Sequence, residues 1–181
     1  MENPSVVKYY NTPLSRFFFL SHLPILTAAF TITSGPVLEL GAGFGSTFAL
    51  HGLCGATKRK LVTVENDKIW LSAFGYYRRE WHEFKHAESF LDLPEYRESW
   101  GLAFVDHGIL GERGLALAEL RDVPVVVAHD TCHESLNYTN DGVPQPLSSF
   151  KFRFDHKWQG PQTSVLSNTI DVYKMFKEMG L

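Results

Sequence analysis

Cysteine is scarce in this sequence: of 181 residues only Cys54 and Cys132 carry a thiol, far apart and outside any CxxC pair. That excludes a disulfide framework and a zinc knuckle, and it fits a reducing, cytoplasmic setting. An excess of positive charge is missing too. The 17 lysines and arginines against 20 acids leave a formal net charge of −3, so nothing draws the chain to a phosphate backbone in general, and nucleic acid is not the expected partner. No repeat, low-complexity tract or long run of like charge is present, which excludes solenoids and charged tails. A membrane-length apolar run is also lacking. Residues 17–33 come nearest, but His22 and Pro24 interrupt them, and they are short of the roughly 20 apolar residues a span needs. They are expected to form one or two helices beside a sheet, with no membrane as partner.

What the chain does have is the balance of a globular protein, 44% hydrophobic and 20% charged. Its length suits one domain that buries about 70% of its unfolded surface. Strand-like runs recur at residues 37–40, 60–65, 84–87, 102–106 and 123–129, apolar on both faces, with helical patterns between them. Asn66-Asp67 offers a helix cap, after which Trp70, Phe74, Tyr77 and Trp81 fall at helical spacing, and residues 112–120 (ERGLALAEL) read as a crossover helix. Buried parallel strands covered by helices on both faces make an α/β fold. Residues 150–156 (FKFRFDH) and 163–168 (TSVLSN) then follow with only six residues between them. That is too short for a parallel crossover, so they should pair antiparallel. Residues 1–34 are expected to be a helical cover and residues 35–181 a single core.

The first strand runs into glycines, VLELGAGFGS, with Gly41, Gly43 and Gly45 after Glu39. In a doubly wound sheet, ligands bind beyond the carboxyl ends of the strands where strand order reverses, and a turn there needs little side chain. Dinucleotides use GxGxxG, whereas nucleosides such as S-adenosylmethionine use an acid followed by GxGxG. Ser46 stands where a dinucleotide turn has its third glycine, so the nucleoside reading is favoured over a nicotinamide dinucleotide oxidoreductase. Glu65 closes the second strand, where a carboxylate can accept hydrogen bonds from both ribose hydroxyls.

On VLELGAGFGS, LVTVEND, HAES, LAFVDHG and VVVAHDT, in that order, the chain resembles the class I S-adenosylmethionine-dependent methyltransferases over nearly its whole length. The resemblance implies a three-layer, Rossmann-like sandwich with a seven-stranded, mostly parallel sheet ending in an antiparallel hairpin. It implies the cofactor S-adenosylmethionine with its methionine end over Gly41, Ala42, Gly43, Gly45 and Ser46, its ribose on Glu65 beside Asn66, and its adenine near Ala87, Glu88 and Ser89. Glu39 would orient the loop and the cofactor's amino group.

Acceptor-side candidates cluster after strands four and five: Asp106-His107 and His129-Asp130, then Thr131 and His133. FVDH and VAHDT are similar to segments of the small O-methyltransferases, where an acid after strand four and an acid-amide pair after strand five hold Mg²⁺. Asp106 and Asp130 match two of those ligands, the amide is Thr131, and the family's lysine base is Ile109. The hard oxygen ligands would suit Mg²⁺, the histidines would favour a transition metal instead, and a site without metal is the third reading. The expectation is a metal-independent or atypical O-methyltransferase acting on a small-molecule methyl acceptor, with His107 or His133 as base and Asp106 at the reacting end. Asp106-His107-Gly108-Ile109 stands where amino-methylating nucleic-acid enzymes carry a [DNS]PPY-type segment. Tyr9, Tyr10, Phe17 to Phe19 and Trp158 are candidates to line an acceptor pocket. A lid would come from the N-terminal segment, the 137–149 loop or the second subunit of a homodimer. A catalytically silent S-adenosylmethionine-binding scaffold is the alternative.

Overall fold

The computed structural model describes residues 20–133, 138, 146–157 and 160–181. In chain order the regular elements are α1 (Leu23–Thr31), β1 (Val37–Leu40), α2 (Ser46–Thr57), β2 (Leu61–Glu65), α3 (Lys68–Ser72), β3 (His82–His86), β4 (Leu102–Val105), α4 (Leu110–Glu119), β5 (Val125–Ala128), β6 (Phe152–His156), β7 (Thr163–Ser167) and α5 (Val172–Glu178). They build one seven-stranded sheet in the order β3-β2-β1-β4-β5-β7-β6. The first five strands are parallel, and β7 runs antiparallel to both β5 and β6. This is the expected Rossmann-like α/β sandwich with its closing hairpin.

The strands are apolar on both faces because both faces are covered. One set of side chains, including Val37, Leu61, Leu102, Phe104, Val125 and Val127, packs with Ile25, Leu26 and Phe30 of α1, Leu50 of α2 and Phe176 of α5. The alternate set, including Leu38, Val62, Val64, Val105 and Val126, packs with Ala116 and Leu117 of α4. Each such fully buried aliphatic chain contributes about 1.5–3 kcal/mol, so the two clusters hold the sheet that carries the site. The apolar run around residues 23–31 is thus a cover helix, and no described helix is long and apolar enough to cross a membrane.

Two local expectations change. The aromatic stripe from Trp70 to Trp81 is not one helix: α3 has five residues, a short 3-10 turn follows at Gly75–Tyr77, and the backbone is extended by Arg78. Gly75 is a poor helix residue and the segment must return to the sheet at once. Trp81 instead lies over α2, where a Cβ on Gly55 would be 2.8 Å from its ring. Strand β3 begins two residues earlier than the apolar pattern indicates, because His82 is buried through hydrogen bonds that a hydropathy pattern cannot register.

Strand order reverses between β1 and β4. Loops leaving their carboxyl ends diverge there and leave a crevice.

Candidate functional site

The loop after β1 is held by carboxylates on two neighbouring strands. Gly41 has φ +96°, and a Cβ on it would sit 2.5 Å from the Asp106 carbonyl oxygen. The first glycine therefore answers to the backbone of the β4 exit, not to a ligand. At Gly43 an added Cβ would meet only Ser46 Oγ at 3.4 Å, so its bareness keeps space open. The Gly43 N–H donates to Thr47 Oγ1 (2.9 Å), and Thr47 Oγ1 donates to Glu39 Oε2 (2.9 Å). Glu39 orients the loop in this way, through a threonine on α2.

Glu39 is wholly buried, and burial pushes its carboxyl up to about 7 even though hydrogen bonds from Ser46, Thr63 and Thr47 oppose the rise. Thr63 Oγ1 also donates to Glu39 Oε2 at 2.7 Å and lies 3.0 Å from His82 Nε2, and His82 Nδ1 is 2.9 Å from His51 Nδ1. With Thr63 donating to the acid, His82 donates from Nε2 and accepts at Nδ1. One chain of hydrogen bonds thus runs from the buried acid to α2. Burial holds His82 neutral, its pKa down to about 3.

Glu65 is the second organiser. Its Oε2 accepts from the Ala42 N–H and its Oε1 from the N–H groups of Asn66 and Asp67, all at 2.8 Å. A carboxylate has about four acceptor positions, so three backbone donors leave one for a ligand hydroxyl. Trp70 Nε1 completes the loop by donating to the Ala42 carbonyl at 2.7 Å. Beside these groups opens a cleft of about 820 Å³, walled by Ala42 to Ser46, Glu65 to Asp67, Trp70, Asp106, Gly108, Leu20 and His22. Gly45 is the N-cap of α2.

At the far end, Arg113 of α4 ties the exits of β4 and β5 together. Its guanidinium donates to Asp106 Oδ1 (3.1 Å), Asp130 Oδ2 (3.3 Å), and the carbonyls of His107 (2.7 Å) and His129 (3.4 Å). Tyr138 caps the arrangement, its hydroxyl donating to the His129 carbonyl and its ring lying 5.8 Å from the guanidinium carbon. A Mg²⁺ held between Asp106 and Asp130, as in the small O-methyltransferases that the chain resembles, does not fit this donor set. A guanidinium already bridges the two carboxylates, and Thr131, in the amide's place, donates its hydroxyl to the Gln162 carbonyl.

Of the other expected residues, Asp106 lines the cleft but His107 does not. The His107 ring is fully buried and stacked on Phe90, centroids 3.8 Å apart, and burial lowers its pKa to about 3. It is packed in the core and does not face the cleft, where the expected base would have to stand. Glu88 is exposed, and Ser89 is committed to Glu112, donating to its Oε1 at 3.0 Å, so neither forms the cleft wall. The side chain of His133, the N-terminal aromatics, Trp158 and most of the 137–149 loop lie outside the described residues. Sequence reasoning missed Arg113, Glu112 and the loop-bracing role of Trp70. Arg113 sits inside an otherwise apolar helical face, a signal that could have been found. In the sequence His22 reads only as a break in an apolar run.

No known protein-family pattern and no curated protein sequence matches the chain. Solved structures do match its fold. The SAH-bound Podospora anserina methyltransferase PaMTH1 is similar over 92% of this chain and 88% of its own, with a TM-score of 0.57 and 14% identity. The O-methyltransferase TomG from Streptomyces achromogenes, solved in complex with SAM, is similar over 92% of this chain and 91% of its own (TM-score 0.54, 18% identity). The 16S rRNA methylase ArmA is similar over 88% of each chain (TM-score 0.51, 12% identity). The fold is that of the class I S-adenosylmethionine-dependent methyltransferases.

Proposed function

We propose that this chain binds S-adenosylmethionine in the cleft beside the β1 loop and transfers its methyl group to an oxygen of a small molecule. One observation carries the reading: at the point of strand reversal, an open crevice is bounded by a backbone kept bare at Gly43 and a carboxylate, Glu65, with acceptor capacity to spare. The methionine end lies over Gly41 to Ser46, the ribose on Glu65, and the nucleoside runs along Asn66 and Asp67 toward Trp70. Solved neighbours that carry SAM or SAH support this choice of cofactor over a dinucleotide.

The chemistry is an in-line displacement. The acceptor oxygen bonds to the methyl carbon as the carbon–sulfur pair passes to sulfur, so placing the acceptor matters most. Asp106 is the acid on the cleft wall at the reacting end, and Arg113 holds one of its oxygens still. The second oxygen is the group that takes a proton from a hydroxyl acceptor. A net charge of −3 and an apolar rim that includes Leu20, Phe44 and Trp70 favour a small, partly apolar acceptor over RNA. Mass spectrometry of material methylated with labelled cofactor, from a panel of small phenols, acids and RNA, tests the reading. Label in RNA alone would overturn the acceptor class, and tight binding of NADH without binding of S-adenosylmethionine would overturn the cofactor.

A further inference from the structure

The residue that methyl transfer leaves without a role is His22. It occupies the N-cap position of α1, yet its side chain makes no capping hydrogen bond. Its ring turns inward against Phe104 and edge-on to His129, with centroids 5.1 and 4.8 Å away. It is 3% exposed, and neither ring nitrogen has a hydrogen-bond partner among the described residues. Burying an unpaired imidazole costs free energy that a phenylalanine in the same space would not.

A second observation explains where the ring points. Ligating atoms of His22, Asp106 and His129 all lie within 4.8 Å of one another. Each has an electron pair to give. His129 Nδ1 is engaged by Thr163 Oγ1 at 2.9 Å, which orients the ring and leaves Nε2, itself 3.5 Å from Asp130 Oδ1. Asp106 gives Oδ1 to Arg113 and keeps Oδ2. Both His22 and Asp106 line the cleft, so the set is closed on the protein side and open toward a ligand.

We propose that His22, His129 and Asp106 form a binding site for a first-row transition-metal dication such as Zn²⁺. Two imidazole nitrogens and one carboxylate with an open side are the donor set such ions take, and they are the wrong donors for Mg²⁺. Ions of this kind bind at about 2.0–2.2 Å, which puts tetrahedral donors about 3.4 Å apart, so the three groups must draw in around one. Charge permits it. Asp106 and Asp130 against Arg113 leave one negative charge at the site, which a dication carrying one bound oxyanion would balance to zero. The site differs from the Mg²⁺ pair considered above, whose two carboxylates Arg113 bridges. Its consequence rests on the methyl-transfer reading: with the ion bound, Asp106 Oδ2 is a ligand and no longer the proton acceptor, so an acceptor hydroxyl bound there gives its proton to solvent near neutral pH, and its oxygen pair then forms the bond to the methyl carbon as the carbon–sulfur pair goes to sulfur.

The test is titration of Co²⁺, then Zn²⁺, into the full chain after stripping with EDTA, read by visible absorption and calorimetry. One equivalent is expected, with affinity falling about 100-fold or more in His22→Phe and His129→Phe and holding in Cys132→Ser. Circular dichroism establishes that each variant is folded, and His22→Gln, which keeps a polar group at the position, supplies a second folded variant. The absence of stoichiometric binding, or undiminished binding in the folded His22 variants, overturns the site. S-adenosylmethionine titrated into the same stripped samples separates the two readings. Cofactor binding with no metal binding sinks the metal site alone, and metal binding with no cofactor binding sinks the methyl-transfer reading alone.

Discussion

Glu39→Gln probes the buried carboxylate under the glycine loop. In the folded chain burial pushes this carboxyl from 4.5 to about 7; unfolded, it titrates near the lower value. Between the two, the folded chain keeps a proton that the unfolded chain has released. Stability therefore falls as pH rises through that window, and the loss is complete above about 7. At 1.4 kcal/mol per pH unit the full gap is worth about 3 kcal/mol, of which about 2.5 kcal/mol accrues between pH 5 and pH 8. Glutamine keeps the shape without the charge, and whatever its buried amide costs is the same at every pH. The buried histidines His22, His82 and His107, lowered to about 3 by burial, titrate in the opposite sense, but they do so in both proteins. Urea unfolding of wild type and variant at pH 5 and pH 8 is the assay. The variant should gain about 2.5 kcal/mol on wild type between the two conditions. An equal difference at both pH values would refute the reasoning, because Glu39 would then be ionised throughout.

Three further outcomes follow from the same geometry. Gly41→Ala should cost at least about 2 kcal/mol of stability, from the positive φ and the clash with the Asp106 carbonyl, whereas Gly43→Ala should shift the thermal midpoint little yet weaken cofactor binding at least tenfold; calorimetry on both variants checks the contrast. Glu65→Gln should weaken S-adenosylmethionine by about 1.5–3 kcal/mol, since hydrogen bonds to a charged group have that strength, and an unchanged Kd would remove Glu65 from the site. Arg113→Met removes the guanidinium that the partly buried Asp106 and Asp130 share, so chemical denaturation should show a loss of about 3 kcal/mol, and a variant as stable as wild type would show that the guanidinium does not anchor the two exits.

Most of the scaffold was legible because it depends on local pattern. VLEL, LVTVE, LAFV and VVVA are continuous apolar runs, and such runs declare buried parallel strands whichever neighbours they meet. The closing hairpin followed from the shortness of its connection. The glycine loop was legible as a loop but not in its reasons, since Gly41 is bare for the backbone of β4 and only Gly43 faces open space. What stayed hidden were groups joined across the sequence. His107 reads as a candidate base from its neighbour Asp106, and only packing shows its ring stacked under Phe90. Arg113 lies 7 and 17 positions from the two acids it bridges, and His22 reaches the cleft only because α1 covers the sheet beside Phe104.

The measurement closest to the central claim is calorimetric titration of S-adenosylmethionine into the wild-type chain and into Gly43→Ala. The account predicts one site of submillimolar affinity in the wild type and at least a tenfold loss in the folded variant. No heat of binding with millimolar cofactor, or equal affinity in both proteins, would contradict it.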